Sequence, residues 1–203
     1  MRDSIREIPF IELRTTPDRG RAIFATEPIK AKTAVTPYTG AVMSSEEGEL
    51  LLHLQEQQGK PVYIFDLPLW ATKEDYDEDI HGDEPEWCID GDNPDNVAGI
   101  INHSCEPNCV VEEVHTPMWY PMAETGAPKR FDCALWYVTS KDIAKGEELT
   151  VNYGFPCHVT TTYRHPCYCG SKKCKGFMVA ADQRKLIKKM LPLWRKYGLV
   201  PDA

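Results

Sequence analysis

Apolar and polar positions alternate in short runs through the first forty residues, IPFIELR, RAIFAT and AVTPYTG, separated by the turn TPDRG and by Gly and Pro. That pattern predicts short β-strands joined by tight turns. It changes at Ser44. Ser44 and Glu47 have capping-box spacing and LLLHL follows at helical density until Gly59 and Pro61, which predicts one helix of about 14 residues. VYIFDLPLW reads as a buried strand and WCID as a second, shorter one. NVAGIINHSC fits either a helical turn or an extended segment. FDCALWYVTS reads as a strand, and KDIAKGEELTVNY as a turn at Lys145-Gly146 followed by another. In VAADQRKLIKKMLPLWRKYG the apolar residues Leu186, Ile187, Met190, Leu191 and Trp194 fit one face of a helix bent or broken near Pro192.

Many short strands with only two credible helices make a mostly β fold and argue against a βαβ nucleotide-binding domain. With 203 residues and 42% hydrophobic content the chain can close one core, or two small ones, and is neither disordered nor fibrous. MRDSIREIPF has charges where a signal peptide needs an apolar run, and no stretch of about 18 apolar residues occurs, so a soluble intracellular protein without a membrane partner is expected. In a reducing compartment the eight cysteines are then thiols, metal ligands or nucleophiles rather than disulfides.

Charge is unevenly placed within the net −8. Residues 1–100 carry 21 acidic and 9 basic groups, a balance of −12, and residues 101–203 carry 10 and 14, a balance of +4. Eleven carboxylates fall between Glu74 and Asp95. Such a run is either a solvated loop or a field that concentrates a cationic substrate beside a site. On net charge, direct binding to DNA is not expected.

Three constellations carry candidate chemistry. Cys167, Cys169 and Cys174 have the spacing C-x-C-x4-C, which suits tetrahedral Zn2+ with one further ligand; Cys105, Cys109, Cys157, His158 and His165 all qualify as the fourth. Asn102-His103-Ser104-Cys105 could be a Cys/His pair, or structural, because neighbours in sequence need not converge. In Glu147-Glu148-Leu149-Thr150-Val151-Asn152-Tyr153-Gly154 a tyrosine ends a strand before a glycine; taken alone it is a core residue with its hydroxyl satisfied.

In combination, RGRAIFATEPIKAKTAVTPYTG, VYIFDL, CIDGDNPDNVAGIINHSCEPNC, EELTVNYGF and CYCGSKKCKGF resemble the SET-domain protein lysine methyltransferases with their zinc-binding post-SET unit. The resemblance implies a SET-like β-clip fold of short sheets with a threaded C-terminal segment. It implies a SET domain over 9–155 with an acidic insertion at about 72–96, a zinc unit over 163–179, and a C-terminal helix and tail over 180–203. By the same resemblance Cys105 completes a one-zinc site with Cys167, Cys169 and Cys174. Asn102 and His103 hold the adenine end of S-adenosylmethionine, Gly20, Arg21 and Ala22 line its methionine end, Tyr63 contacts it and Phe177 covers its adenine. Tyr153 is the implied catalytic residue, and Tyr38, Val111 and Val151 are channel walls.

The implied activity is methyl transfer to a lysine of a basic protein, most naturally a histone tail, in the nucleus if the source is eukaryotic. The alternative is a catalytically impaired SET-like module that holds a lysine-bearing peptide. Its main support is that Ala22 stands for a glycine and Gly99 for a common arginine of the family pattern. Two further departures are Asn152 for an aspartate, and Val111 and Val151 for bulkier aromatics, the latter leaving room for multiple methylation by an active enzyme.

Overall fold

The computed structural model describes residues 8–60, 62–67, 86–158, 162 and 165–200. Residues 68–70 of the expected VYIFDLPLW strand and residues 74–85 of the acidic run lie outside them. Twelve strands are described: β1 (Ile11–Thr16), β2 (Gly20–Ala25), β3 (Ala34–Pro37), β4 (Ala41–Ser44), β5 (Ile64–Leu67), β6 (Trp87–Asp90), β7 (Asn102–His103), β8 (Cys109–Val114), β9 (Met118–Pro121), β10 (Pro128–Phe131), β11 (Ala134–Thr139) and β12 (Thr150–Val151). The helices are α1 (Ser45–Gln57), a 3-10 turn at Ala98–Ile100, and α2 (Arg184–Lys196). The mostly β arrangement of short sheets expected from the sequence is what forms.

The chain divides into two compact units, one of Met1–Glu12, Thr33–Ile100 and Val111–Val138, the other of Leu13–Lys32, Ile101–Val110 and Thr139–Ala203. In the first, β6 lies between β4 and β5, both antiparallel to it. Helix α1 starts as its capping box predicts: the Glu47 N–H donates to Ser44 Oγ at 3.3 Å and the Ser44 N–H to Glu47 Oε2 at 2.9 Å. Gly48 interrupts this helix for a packing reason. A Cβ there would meet Cys88 Sγ at 2.2 Å, so only glycine lets α1 lie this close to β6, at a helix-propensity cost of about 1 kcal/mol. Strand β11 is central in a second sheet with β3 on one side and β8 on the other, and β9 pairs with β10 as a hairpin that the sequence pattern did not announce. Val42, Leu67, Ile89, Tyr120, Phe131 and Leu135 are buried here.

The second unit holds β2, β7, β12 and α2. Its sheets are minimal: most of β1 pairs with β2, β7 pairs with β12 in parallel, and single bridges join Phe24 to Glu148 and Ile29 to Ile143. Ile23, Ile101, Ile143 and Leu149 fill the interior of this unit. Near its end Cys157, Val179, Ile187 and Trp194 form a small core, joined by Phe177, Leu186, Met190 and Leu191. Of the bend or break expected near Pro192, the break does not occur: helix α2 continues from Arg184 to Lys196. Full burial of Trp194, just beyond the proline, holds the last turn in register against the lost hydrogen bond.

Candidate functional site

The ambiguous NVAGIINHSC segment resolves into both of its options, the 3-10 turn at Ala98–Ile100 and then the two-residue strand β7. In β7, Asn102 faces Thr150 and His103 faces Val151 across the parallel pair, and the Ser104 N–H donates to the Val151 carbonyl at 2.8 Å. Two motifs nearly fifty residues apart are thereby joined, with Tyr153 two residues past β12. The Tyr153 N–H donates to His103 Nδ1 at 3.2 Å and its hydroxyl to the Ile101 carbonyl at 3.2 Å. Its half-buried ring packs edge-on against His103 and Phe155, with centroids 5.4 and 5.8 Å away.

Burial, with the charge of Arg184 added, draws His103 down to about 4, so the ring is neutral near pH 7. Because Nδ1 accepts from Tyr153, the ring proton sits on Nε2, 3.5 Å from Cys105 Sγ.

Two residues the sequence reading did not single out hold this arrangement. Glu148 accepts from Asn102 Nδ2 at 3.0 Å and pairs with Arg19, while Asn102 Nδ2 also donates to the Arg21 carbonyl at 3.1 Å. Asn108 is buried and saturated. Its Nδ2 donates to the Glu148 carbonyl at 2.8 Å and to Glu147 Oε1 at 3.1 Å, and its Oδ1 accepts from the Thr150 N–H at 2.8 Å. The one sequence signal for either was position within its motif, since their partners are about forty residues away.

The sulfurs of Cys105, Cys167, Cys169 and Cys174 lie within 4.8 Å of one another, and Cys105 Sγ is 3.8 Å from Cys167 Sγ. A tetrahedral zinc with bonds of about 2.3 Å places its sulfurs about 3.8 Å apart, so this donor set fits Zn2+. Of the five candidates for a fourth ligand, Cys105 is the one brought to the other three. Backbone N–H groups point at the sulfurs, from Cys105 to Cys169 and from Gly176 to Cys174, each at 3.4 Å. Burial pushes Cys105 up to about 11 and raises Cys167 as well. It works to raise Cys169 too, but hydrogen bonds from Ser171 and the Cys105 N–H outweigh it and bring that thiol to about 6. Cys88, Cys109 and Cys133 are buried thiols pushed up to about 12 by burial and have no part in the cluster.

The SET domain family model matches residues 20–154, more than half of the chain. This chain belongs to the SET-domain family. It is 31% identical over 182 residues to the H3 lysine-9 specific histone-lysine N-methyltransferase KMT1 of Fusarium mangiferae, covering 85% of this chain and 49% of that protein. It is 30% identical over 178 residues to the histone-lysine N-methyltransferase SUV39H2 of Gallus gallus, covering 81% and 38%. The chain thus spans about half or less of the length of these relatives. In fold it is similar to a crystal structure of KRYPTONITE in complex with mCHG DNA and SAH, with a TM-score of 0.54, 24% identity, and coverage of 83% of this chain and 28% of that one.

The remaining SET positions fall in both units. In the second, Gly20 and Arg21 are exposed at the head of β2, whereas Ala22 is fully enclosed, so of these three the first two present surface. Gly20 has φ +67°, and a Cβ built there meets nothing within 4 Å, leaving an open approach beside the Arg21 cation. Val151 is buried in β12. Phe177 packs on Trp194, centroids 5.1 Å apart. Asn152 accepts from the Gly154 N–H at 2.9 Å, a turn bond that either Asn or Asp can make. In the first unit Val111 is half-buried in β8. Buried Tyr38 donates to the Tyr63 carbonyl, which also accepts from the Gly91 N–H at 2.8 Å, so the Tyr38 hydroxyl acts as a brace. Gly99 sits where a Cβ would lie 3.0 Å from Asn96 Nδ2 and 3.5 Å from Tyr63 Cδ1, so a side chain there would press on Asn96.

Proposed function

We propose that this SET chain is an S-adenosylmethionine-dependent protein-lysine N-methyltransferase acting on a basic protein, with a histone tail as the preferred substrate. The observation that carries the proposal is Tyr153, held at its backbone by His103 and at its hydroxyl by Ile101. The histone-lysine N-methyltransferases at 30 and 31% identity support the substrate class. Residues 9–155 serve as the SET domain, 163–179 as the zinc unit and 180–203 as its C-terminal extension, in a nuclear setting.

Bound S-adenosylmethionine supplies an electrophilic methyl group on a sulfonium. The protein must present a neutral amine to it, and a lysine with a pKa of about 10.4 is neutral only about once in a thousand at pH 7.4. An apolar, enclosed channel disfavours the ammonium and holds the nitrogen in line. The Tyr153 hydroxyl donates to the Ile101 carbonyl, which leaves its lone pairs to accept from the N–H of a neutral amine presented to it and so to orient the nitrogen. Asn102, tied to Glu148 and the Arg21 carbonyl, keeps β7 in place beside it. Arg21 and the bare Gly20 backbone suit the carboxylate end of the cofactor. Asn102, His103, Tyr63 and Phe177 are assigned to its adenosine end. Four cysteines on one Zn2+ would tie the C-terminal segment to the end of β7, a structural role. By the family resemblance Val111 and Val151 are assigned to the lysine channel, where side chains smaller than Phe or Tyr would allow more than one methyl on the same nitrogen.

The test is transfer of a tritiated methyl group to mixed core histones and to a whole-cell lysate. Labelled lysine in histone, abolished by Tyr153→Phe, is the expected result. Cofactor binding without any transfer would replace this reading with the lysine-peptide binding module.

A further inference from the structure

Helix α2 carries six basic residues, Arg184, Lys185, Lys188, Lys189, Arg195 and Lys196, and no carboxylate. At 100° per residue all six fall within an arc of about 140°. The opposite side carries Ile187 and Trp194, which are buried in the core shared with Val179 and Phe177. Lys185, Lys188, Lys189 and Lys196 are exposed, and within the described residues none of the six has an ion-pair partner. Arg184 Nε and Nη2 and Arg195 Nε are buried without an acceptor, so the four exposed lysines are the cations this face offers to a ligand. Between residues 165 and 200 there are nine Lys and Arg and one acid, Asp182.

The first two turns of this helix are electrostatically unfavourable, although Arg195 and Lys196 suit the negative end of its dipole. Arg184 and Lys185 occupy the first turn, at the positive end of the helix dipole, and Gln183 makes no side-chain cap bond. Lys185 and Lys189 repel at i,i+4, as do Arg184 and Lys188. Helix α1 of the same chain has the reverse, a capping box and the acids Glu46 and Glu47 in its first turn. An anion laid along the basic face of α2 relieves all of these costs together.

We infer that the basic face of α2 is a docking surface for the phosphate backbone of duplex nucleic acid. Burial of Ile187 and Trp194 opposes the modes in which a basic helix inserts into a membrane or a protein groove, since both need that face. Protein partners are held by apolar and aromatic anchors at the centre of an interface; the exposed Leu193 and Tyr197 lie outside the basic arc, and the arc itself holds no such anchor. Phosphates are bound by charge alone, at regular spacing, by an array of this kind. The exposed Lys172 and Lys175 of the cysteine loop add to the same local excess. Net charge pointed away from DNA; the segregation of charge onto one helix face points toward it. This inference does not rest on the transferase reading.

The test is fluorescence anisotropy of the full chain with a short random-sequence DNA duplex across a KCl series, with poly-glutamate as the competing anion. The combined variant Lys185→Gln, Lys188→Gln, Lys189→Gln and Lys196→Gln should flatten the log Kd against log[KCl] slope by about 3 to 4 and weaken low-salt binding at least tenfold. Replacing the same four lysines by arginine should restore the slope, which separates charge from folding. Absence of duplex binding at low salt, a slope unchanged in the glutamine variant, or equal competition by poly-glutamate would each overturn the inference.

Discussion

The segment from Asn102 to Cys109 and the helix α2 lie in one compact unit and are both rich in polar side chains, yet they dispose of them in opposite ways. In the first, Asn102, His103, Ser104 and Asn108 each have partners inside the protein. In the second, four exposed lysines share one face without a carboxylate. Internal saturation fixes geometry, as a site that must place atoms requires. An unsatisfied, uniformly charged face fixes nothing internally and reserves its interactions for another molecule. Side-chain polarity alone would not have told the two apart; the accounting of partners does.

The largest effect that would break this comparison comes from the cysteine cluster. Zinc bound by four thiolates contributes on the order of 10 kcal/mol to folding of a small unit. Cys169→Ser, or a strong chelator, should therefore release one zinc per chain and expose Trp194, seen as a red shift of its fluorescence. If the metal content is zero in the untreated protein, or the emission does not move, the cluster is a set of thiols. Asn108 comes next. Asn108→Ala strands the Thr150 N–H and removes the link to Glu148, and should lower stability by about 3 kcal/mol in urea unfolding; a loss under 1 kcal/mol would mean that water replaces it. The smallest effect belongs to α2, where the four lysine-to-glutamine changes should leave the thermal midpoint unchanged or slightly raised. A marked fall would show that those lysines have internal roles after all.

How much of this was legible in the sequence follows the range of the interactions. The α1 start was readable because Ser44 and Glu47 signal each other three residues apart, and C-x-C-x4-C announced a metal loop for the same reason. Choosing Cys105 among five fourth ligands took the family resemblance, because 62 residues separate it from Cys167. Strand β7 was ambiguous because two residues have no period, and its identity depends on Thr150 and Val151. The β9–β10 hairpin was missed since prolines at Pro121 and Pro128 interrupt the strand pattern. Glu148 and Asn108 were passed over because their value lies in non-local bonds that only the folded chain reveals. Pro192 locally predicts a bend or a break, and packing of Trp194 keeps the helix from breaking there.

The account stands most directly on Tyr153. The deciding measurement is a paired one on Tyr153→Phe, cofactor affinity by calorimetry and single-turnover methyl transfer to a histone peptide. The expected result is a cofactor Kd within about twofold of the unsubstituted protein and a transfer rate at least about 100-fold lower. A rate that is unchanged while the cofactor still binds would contradict the assignment of that hydroxyl and, with it, the mechanism.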